Sequence, residues 1–336
     1  MERKNIYMCM LAALLSCSDS VKVSRTLDEM PVIFPDYNGV VIPPNIAPLN
    51  FALNDQDAGS CAVFSFGGQQ FEVKGEKGGF VIPPSKWKKL LESAAGNSIQ
   101  VTVQVKQGNE WVAYSPFTIQ VAAEKIDSYL AYRLIDPGYE LWNKMGIYQR
   151  DLESYTQTPI IENKMSGNNC VNCHSFCMQS PDKMLFHMRE TFPGTILVDG
   201  DKIEKLNTKT KETISSLVYP SWHPSGKYVA FSVNTTKQAF HLNDKNRVEV
   251  YDEASDVVVY DVEKHEIVTA STIFSKDAFE TFPTFSPDGK TLYFCTAEAH
   301  PIPQEYSEVK YNLCSISFDP ATRTFGTQVD TLYNAK

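Results

Sequence analysis

Tyr219-Pro-Ser-Trp-His-Pro-Ser-Gly-Lys-Tyr-Val-Ala-Phe231 and Phe282-Pro-Thr-Phe-Ser-Pro-Asp-Gly-Lys-Thr-Leu-Tyr-Phe294 are one pattern written twice. Both copies run from an aromatic residue through a turn to an apolar strand, and Pro, Gly and Lys fall at the same places in each. A Pro/Ser/Asp-Gly turn between two such runs predicts a hairpin. A single hairpin cannot bury its own apolar face, so repetition implies stacked units, in a solenoid or a propeller. Asp256-Val-Val-Val-Tyr-Asp261 reads as a further strand of such a unit, and Val329 to Tyr333 as a last one. Upstream, Met184 to Arg189 and Gly194 to Asn207, turning at Asp199-Gly200, read as strands of an earlier unit. The stretch between the copies, Thr235 to Glu253, is polar and predicts a surface loop. Within it Asp252 and Glu253, with Asp256 beyond, read as a solvated acidic face rather than a calcium site.

The pattern F-S-P-D-G-K-x-L-Y-F resembles the repeat of TolB-type β-propellers, and Asp256–Asp261 resembles the third strand of such a blade. The resemblance implies propeller blades over residues 181–336. That length holds about three blades, whereas propellers have about 4–8. Three blades leave exposed edges, so either residues 126–150 supply another blade or the chain is a shortened form of a longer protein. The reading favours the second.

Ahead of the repeats the pattern is different. Val101, Val103 and Val105 alternate with Thr102, Gln104 and Lys106, which puts one apolar face on a core. Trp111 to Tyr114 and Phe117 to Val121 repeat the alternation. Ser85 predicts a helix cap, with Trp87, Leu90 and Leu91 as the buried face. Together these predict a β-sandwich over 40–125. The fold class is therefore mainly β: an N-terminal sandwich followed by an incomplete TolB-like propeller. Residues 126–180 connect the two, with a turn at Pro137-Gly138 and a loop from Tyr155 to Gly167.

The connecting segment holds the chain's most specific chemical motif, Cys170-Val-Asn-Cys173-His174. C-x-x-C-H is the signature of covalent c-type haem attachment. The two thiols can form thioethers to the vinyl groups, and His174 can offer an imidazole to the iron as a proximal ligand. Other chemistry uses the same residues. Cys170 and Cys173 can form a disulfide, and C-x-x-C is half of a zinc site or a redox dithiol. Cys177 extends the run to three thiols, like the tail of an iron–sulfur sequence. For a second iron ligand the candidates are Met184, His187 and Met188. On a strand, Met184 and Met188 share one face and His187 takes the other. His223 sits at a turn position that Ser286 takes in the second copy, which favours a turn role.

Arg3 and Lys4, the apolar run Ile6 to Leu15, and Leu14-Leu-Ser-Cys17 resemble the signal and lipobox of bacterial lipoproteins. The resemblance implies a signal peptide over 1–17, lipidation of Cys17 and a polar tether over 18–39. It places the protein in the bacterial cell envelope, lipid-anchored, with Ser18 leaning towards the outer membrane. C-type haem is attached outside the cytoplasm, so the two motifs agree. The order of parts resembles a group of envelope lipoproteins that combine a sandwich, one C-x-x-C-H motif and a TolB-like propeller.

Composition bounds what remains. The chain has 336 residues, 43% hydrophobic and 21% charged, with net charge −9. It is globular, and its charge excludes nucleic acid as a partner. Cys61, Cys295 and Cys314 read as buried apolar groups. No G-x-S-x-G, H-E-x-x-H or phosphate loop is present, so no hydrolase or transferase is indicated. The expected function is electron transfer or redox sensing by a single covalent haem, with a redox partner protein. The alternative is a non-catalytic binding module with a Cys170–Cys173 disulfide.

Overall fold

Alternating apolar residues organise the first part of the chain. In the strand Ser98–Gln107 the side chains of Ile99, Val101, Val103 and Val105 are all buried. That strand pairs with Ser60–Phe66 along one edge, and with Glu110–Ala113 and Phe117–Val121 along the other. The result is a seven-stranded sheet, faced by a second sheet of Ile33–Phe34, Phe51–Leu53 and Gly79–Phe80. The helix Pro84–Ala94 closes the same core with Trp87, Leu90, Leu91 and Ala94. Its N-cap is Pro83, which supplies no side-chain bond, rather than Ser85; Pro84 holds the first turn, where its missing N–H is not needed. Val23–Thr26 pairs in parallel with Trp111–Ala113, and Ile33 is buried in the core. Sandwich structure therefore begins before residue 40, inside the stretch that the sequence reads as a tether.

This computed structural model describes residues 21–54, 59–136, 143–243, 245 and 248–335. The signal segment, Cys17 and the Pro137-Gly138 turn lie outside the described residues. The described chain is mainly β and divides into two units. One takes in the chain to Leu130 with Arg150–Thr156, and the other takes in Ala131–Gln149 and the chain from Gln157.

The second unit contains three successive four-stranded antiparallel sheets, each with its strands in chain order. The first is Cys170–Phe176, Lys183–Arg189, Gly194–Asp199 and Lys202–Leu206. The second is Leu217–Trp222, Tyr228–Phe240, Val248–Asp261 and Glu266–Val268. The third is Ala278–Phe285, Thr291–Glu298, Asn312–Asp319 and Thr324–Tyr333. Four-stranded meanders repeated this way are propeller-type blades. Their opening strands lie beside one another in sequence order. Apolar side chains fill the spaces between blades: Leu185, Phe231 and Val258 between the first and second, Val259, Leu292 and Phe294 between the second and third. A further sheet of Tyr129–Ile135, Met145–Asp151 and Gln157–Glu162 precedes them. Residues 126–150 thus do contribute sheet structure, and Gln157–Glu162 is a strand where the sequence reads as a loop.

Two further expectations change. The first blade opens at Cys170, ahead of the expected boundary at 181. Much of Thr235 to Glu253 is strand rather than loop: the pairing of Tyr228–Phe240 with Val248–Asp261 reaches Phe240 opposite Val248, making a long β-arm. Thr235, Lys237 and Ala239 alternate with Thr236, Gln238 and Phe240. This is a two-sided pattern that a solvated hairpin satisfies without a core.

Candidate functional site: the thiol–imidazole strand of the first blade

The C-x-x-C-H run is the opening strand of a blade, and it is a third copy of the repeat. Each opening strand carries a bulge at the same place. The register shifts fall at Asn172/Ser175, Val218/Ser221 and Thr281/Thr284. At each bulge one residue takes the left-handed backbone region: Cys173 (φ 51°), Tyr219 (φ 50°) and Phe282 (φ 52°). Cys173-His174 therefore stands where the other copies have Tyr219-Pro220 and Phe282-Pro283. A side chain in that region costs about 1–3 kcal/mol and persists where ladder pairing on both sides enforces it. Bulges of this kind re-aim a side chain out of the regular alternation. The bulge itself belongs to the architecture, because it recurs in opening strands without thiols; the chemistry comes from which residue occupies it.

The bulge residues approach one another. The Tyr219 and Phe282 rings meet edge to face at 4.9 Å. Burial raises the Tyr219 hydroxyl above its ordinary pKa, and the Cys173 thiol adds to that shift. The Cys170 thiol is raised chiefly by burial, with Arg189 opposing and Cys173 reinforcing. Arg133 Nη1 donates to Asn172 Oδ1 at 2.6 Å, and the same Oδ1 accepts the Cys173 backbone N–H at 2.8 Å. Burial and then Arg133 push His174 below its ordinary pKa, so its imidazole is held neutral. A ring contact with Phe176 at 6.2 Å flanks it. The strand thus gathers two half-buried free thiols, a neutral imidazole, aromatic rings and two guanidinium groups.

The sequence-derived ligand candidates separate as the pleat dictates. Met184 and Met188 are buried with Val171, Ile147 and Phe186. His187 faces the other way, 2% exposed, with Nδ1 3.1 Å from Thr195 Oγ1. Burial, reinforced by Arg189, lowers its pKa to about 4. It borders a cavity of about 370 Å³ with Arg189, Asn234 and Thr235. All three candidates thus have packing or hydrogen-bonded roles of their own. Cys177 is buried in a different cluster, with Leu185 and Trp222, so it does not complete a trio with Cys170 and Cys173. Cys61 and Cys314 are buried as expected, while Cys295 is half-buried.

His223 is a wedge between blades. It is 4% exposed, its Nε2 lies 3.0 Å from the Gly289 carbonyl, and it packs on Tyr228, Phe285 and Phe318. The contributions of Arg133, Asn172 and Tyr219 were not readable from the sequence. Nothing local marks Arg133, and the only trace of the third repeat in the sequence is Ser175-Phe176 opposite Ser221-Trp222.

No family model matches the chain, and no curated protein matches it. Among solved structures it is similar to an oligogalacturonate lyase in complex with manganese: TM-score 0.32, 12% identity, 67% of this chain and 61% of that one. It is also similar to a DUF4784 family protein from Bacteroides caccae: TM-score 0.31, 7% identity, 89% of this chain and 83% of that one. A third, described as a dipeptidyl aminopeptidase IV from Bacteroides ovatus, has TM-score 0.23 and 11% identity over 56% of this chain and 36% of that one. The chain spans less than two thirds of the lyase's length. What its own sheets define is the class: a mainly β protein with propeller-type blades. None of these likenesses carries an activity to it.

Proposed function

We propose that the protein is a lipid-anchored envelope protein carrying one covalent c-type haem on the strand Cys170–Phe176, for single-electron transfer or redox sensing. The reading rests on the pairing of Cys170, Val171 and Asn172 with Arg189, Met188 and His187. That ladder keeps the segment extended, so Cys170 and Cys173 are separated by roughly 10 Å along the strand. A disulfide needs Cα atoms within about 7 Å, and forming one would strip this strand from its neighbour. Two thioethers need no sulfur–sulfur bond; each sulfur has to reach its own vinyl group at the ring edge. The donor set also fits the group: free thiols for attachment, neutral His174 for iron, aromatic Phe176 and Tyr219 for the ring, and Arg133 and Arg189 against carboxylate charge. When bound, the haem would supply one-electron chemistry, its potential set by axial ligation and burial. The chain's own part is to attach it, present the imidazole and shield one face.

The test is the intact mass and absorbance spectrum of the full chain, made in a host that matures c-type cytochromes. A haem-sized increment that survives denaturation supports the proposal, and replacing both Cys170 and Cys173 by Ala should abolish it while Cys177→Ala should not. Covalent haem retained in the double variant would overturn it. A mass two hydrogens light, with the loss mapped to Cys170 and Cys173, would favour the binding-module reading. That reading draws independent support from a cavity of about 560 Å³ between the first and second blades, lined by Glu204, Asn207, Thr208, Tyr260 and His265.

A further inference from the structure

Two carboxylates lie buried between the second and third blades and take no part in the site above. Asp256, on the third strand of the second blade, is 4% exposed; Glu280, on the opening strand of the third, is 3% exposed. They converge on Ser275, in the segment joining the two blades. The Ser275 hydroxyl donates to Glu280 Oε1 at 3.3 Å, and its backbone N–H serves both carboxylates. Neither makes an ion pair with a lysine, arginine or histidine among the described residues. Each uncompensated buried charge costs several kcal/mol, so the pair must hold either protons or a cation.

A second observation bears on which it is. Glu280 Oε2, on a side chain 3% exposed, has no hydrogen-bond partner among the described residues. A cation between the two carboxylates would take that oxygen, along with the Ser275 hydroxyl. These named donors are all oxygen, which is the ligand chemistry of hard cations.

We propose that Asp256, Glu280 and Ser275 form a binding site for one divalent cation of the calcium type, bridging the second and third blades. The site does not depend on the haem reading. Its charge balances, with two carboxylates against one dication. Its place makes its role structural, since it ties the joining segment to both blades where two negative charges would otherwise repel.

The experiment is calorimetric titration of the full chain, stripped with chelator, with calcium chloride at pH 7.5, paired with thermal unfolding. One site per chain is expected. At about a hundredfold excess over Kd the melting temperature should rise by roughly 5–10 °C. Asp256→Asn with Glu280→Gln preserves size and removes both charges, so the paired variant should lose the binding heat and the rise. Wild-type protein that binds no calcium, and whose stability only falls as pH rises, would show a shared proton instead and overturn the proposal. An unchanged calcium response in the folded variant would overturn it too. If the variant fails to fold, the wild-type stoichiometry decides: a value other than one refutes the site.

Discussion

The contact between His223 and Gly289 allows a sharp test of how the blades are joined. Gly226 and Gly289 are equivalent turn glycines in two copies of the repeat, with φ of +69° and +72°. A Cβ in this region costs about 1–2 kcal/mol. Alanine at either position carries that cost, but the surroundings differ. At Gly226 the nearest neighbour is Cys177 Sγ at 3.3 Å, an adaptable thiol. At Gly289 a Cβ would fall inside the van der Waals surface of His223 Nε2, with Cε1 only 2.6 Å away. His223 cannot retreat, because Tyr228, Phe285 and Phe318 enclose its ring at 4.9–6.0 Å. Overpacking adds about 1–3 kcal/mol. Gly289→Ala should therefore cost about 2–5 kcal/mol, against about 1–2 for Gly226→Ala. Adding His223→Ala removes the obstacle, so the double variant should be more stable than the sum of the single changes predicts, by about 1–3 kcal/mol. Urea unfolding of the full chain, followed by circular dichroism, measures all four variants. Equal losses for the two glycine variants, or strict additivity in the cycle, would refute the assignment of His223 as an inter-blade wedge.

Other expectations follow from the same packing. His187, with pKa lowered to about 4 by burial, should remain neutral when its NMR ring signals are followed from pH 7 to pH 5. Its depressed folded-state pKa means that the stability it contributes is present above about pH 6.5 and is lost as pH falls towards 4. Burial raises Asp256 to about 6, and raises Glu280 to about 7 with Asp256 adding to it. In chelator, the linkage therefore runs the other way. Stability is greatest when the unfolded state is also protonated, below about pH 4, and is lost as pH rises to about 7; Asp256→Asn with Glu280→Gln should flatten that slope in thermal melts. Phe231→Ala removes a ring 1% exposed between the first two blades and should cost about 3–5 kcal/mol in the same urea assay. Replacing Arg133 by Gln removes the donor to Asn172 and a charge felt by His174. The His174 pKa, read by NMR in haem-free chain, should rise; an unchanged value would remove Arg133 from the site.

The sequence alone determined that the chain is mainly β, and where much of the sheet lies. Strict alternation at Ile99, Val101, Val103 and Val105 can bury one face only if the backbone pleats. The Pro/Ser/Asp-Gly turns at 224–226 and 287–289 allow only hairpins. It also determined the separation of His187 from Met184 and Met188, since the pleat fixes their faces whatever packs there. Four features came from tertiary structure. The arm over 235–253 was hidden because a solvated hairpin needs no apolar face, so its composition looks like a loop. The sandwich strands before residue 40 are only two to four residues long, too short for a period to show. The thiol strand's kinship with the repeats was masked because Cys173-His174 shares no residue type with Tyr219-Pro220 or Phe282-Pro283; the common element is a backbone bulge, which pairing on both sides imposes. The meeting of Asp256 with Glu280 was equally invisible. Residues on neighbouring blades become neighbours only when the sheets stack, and no spacing along the chain encodes that distance.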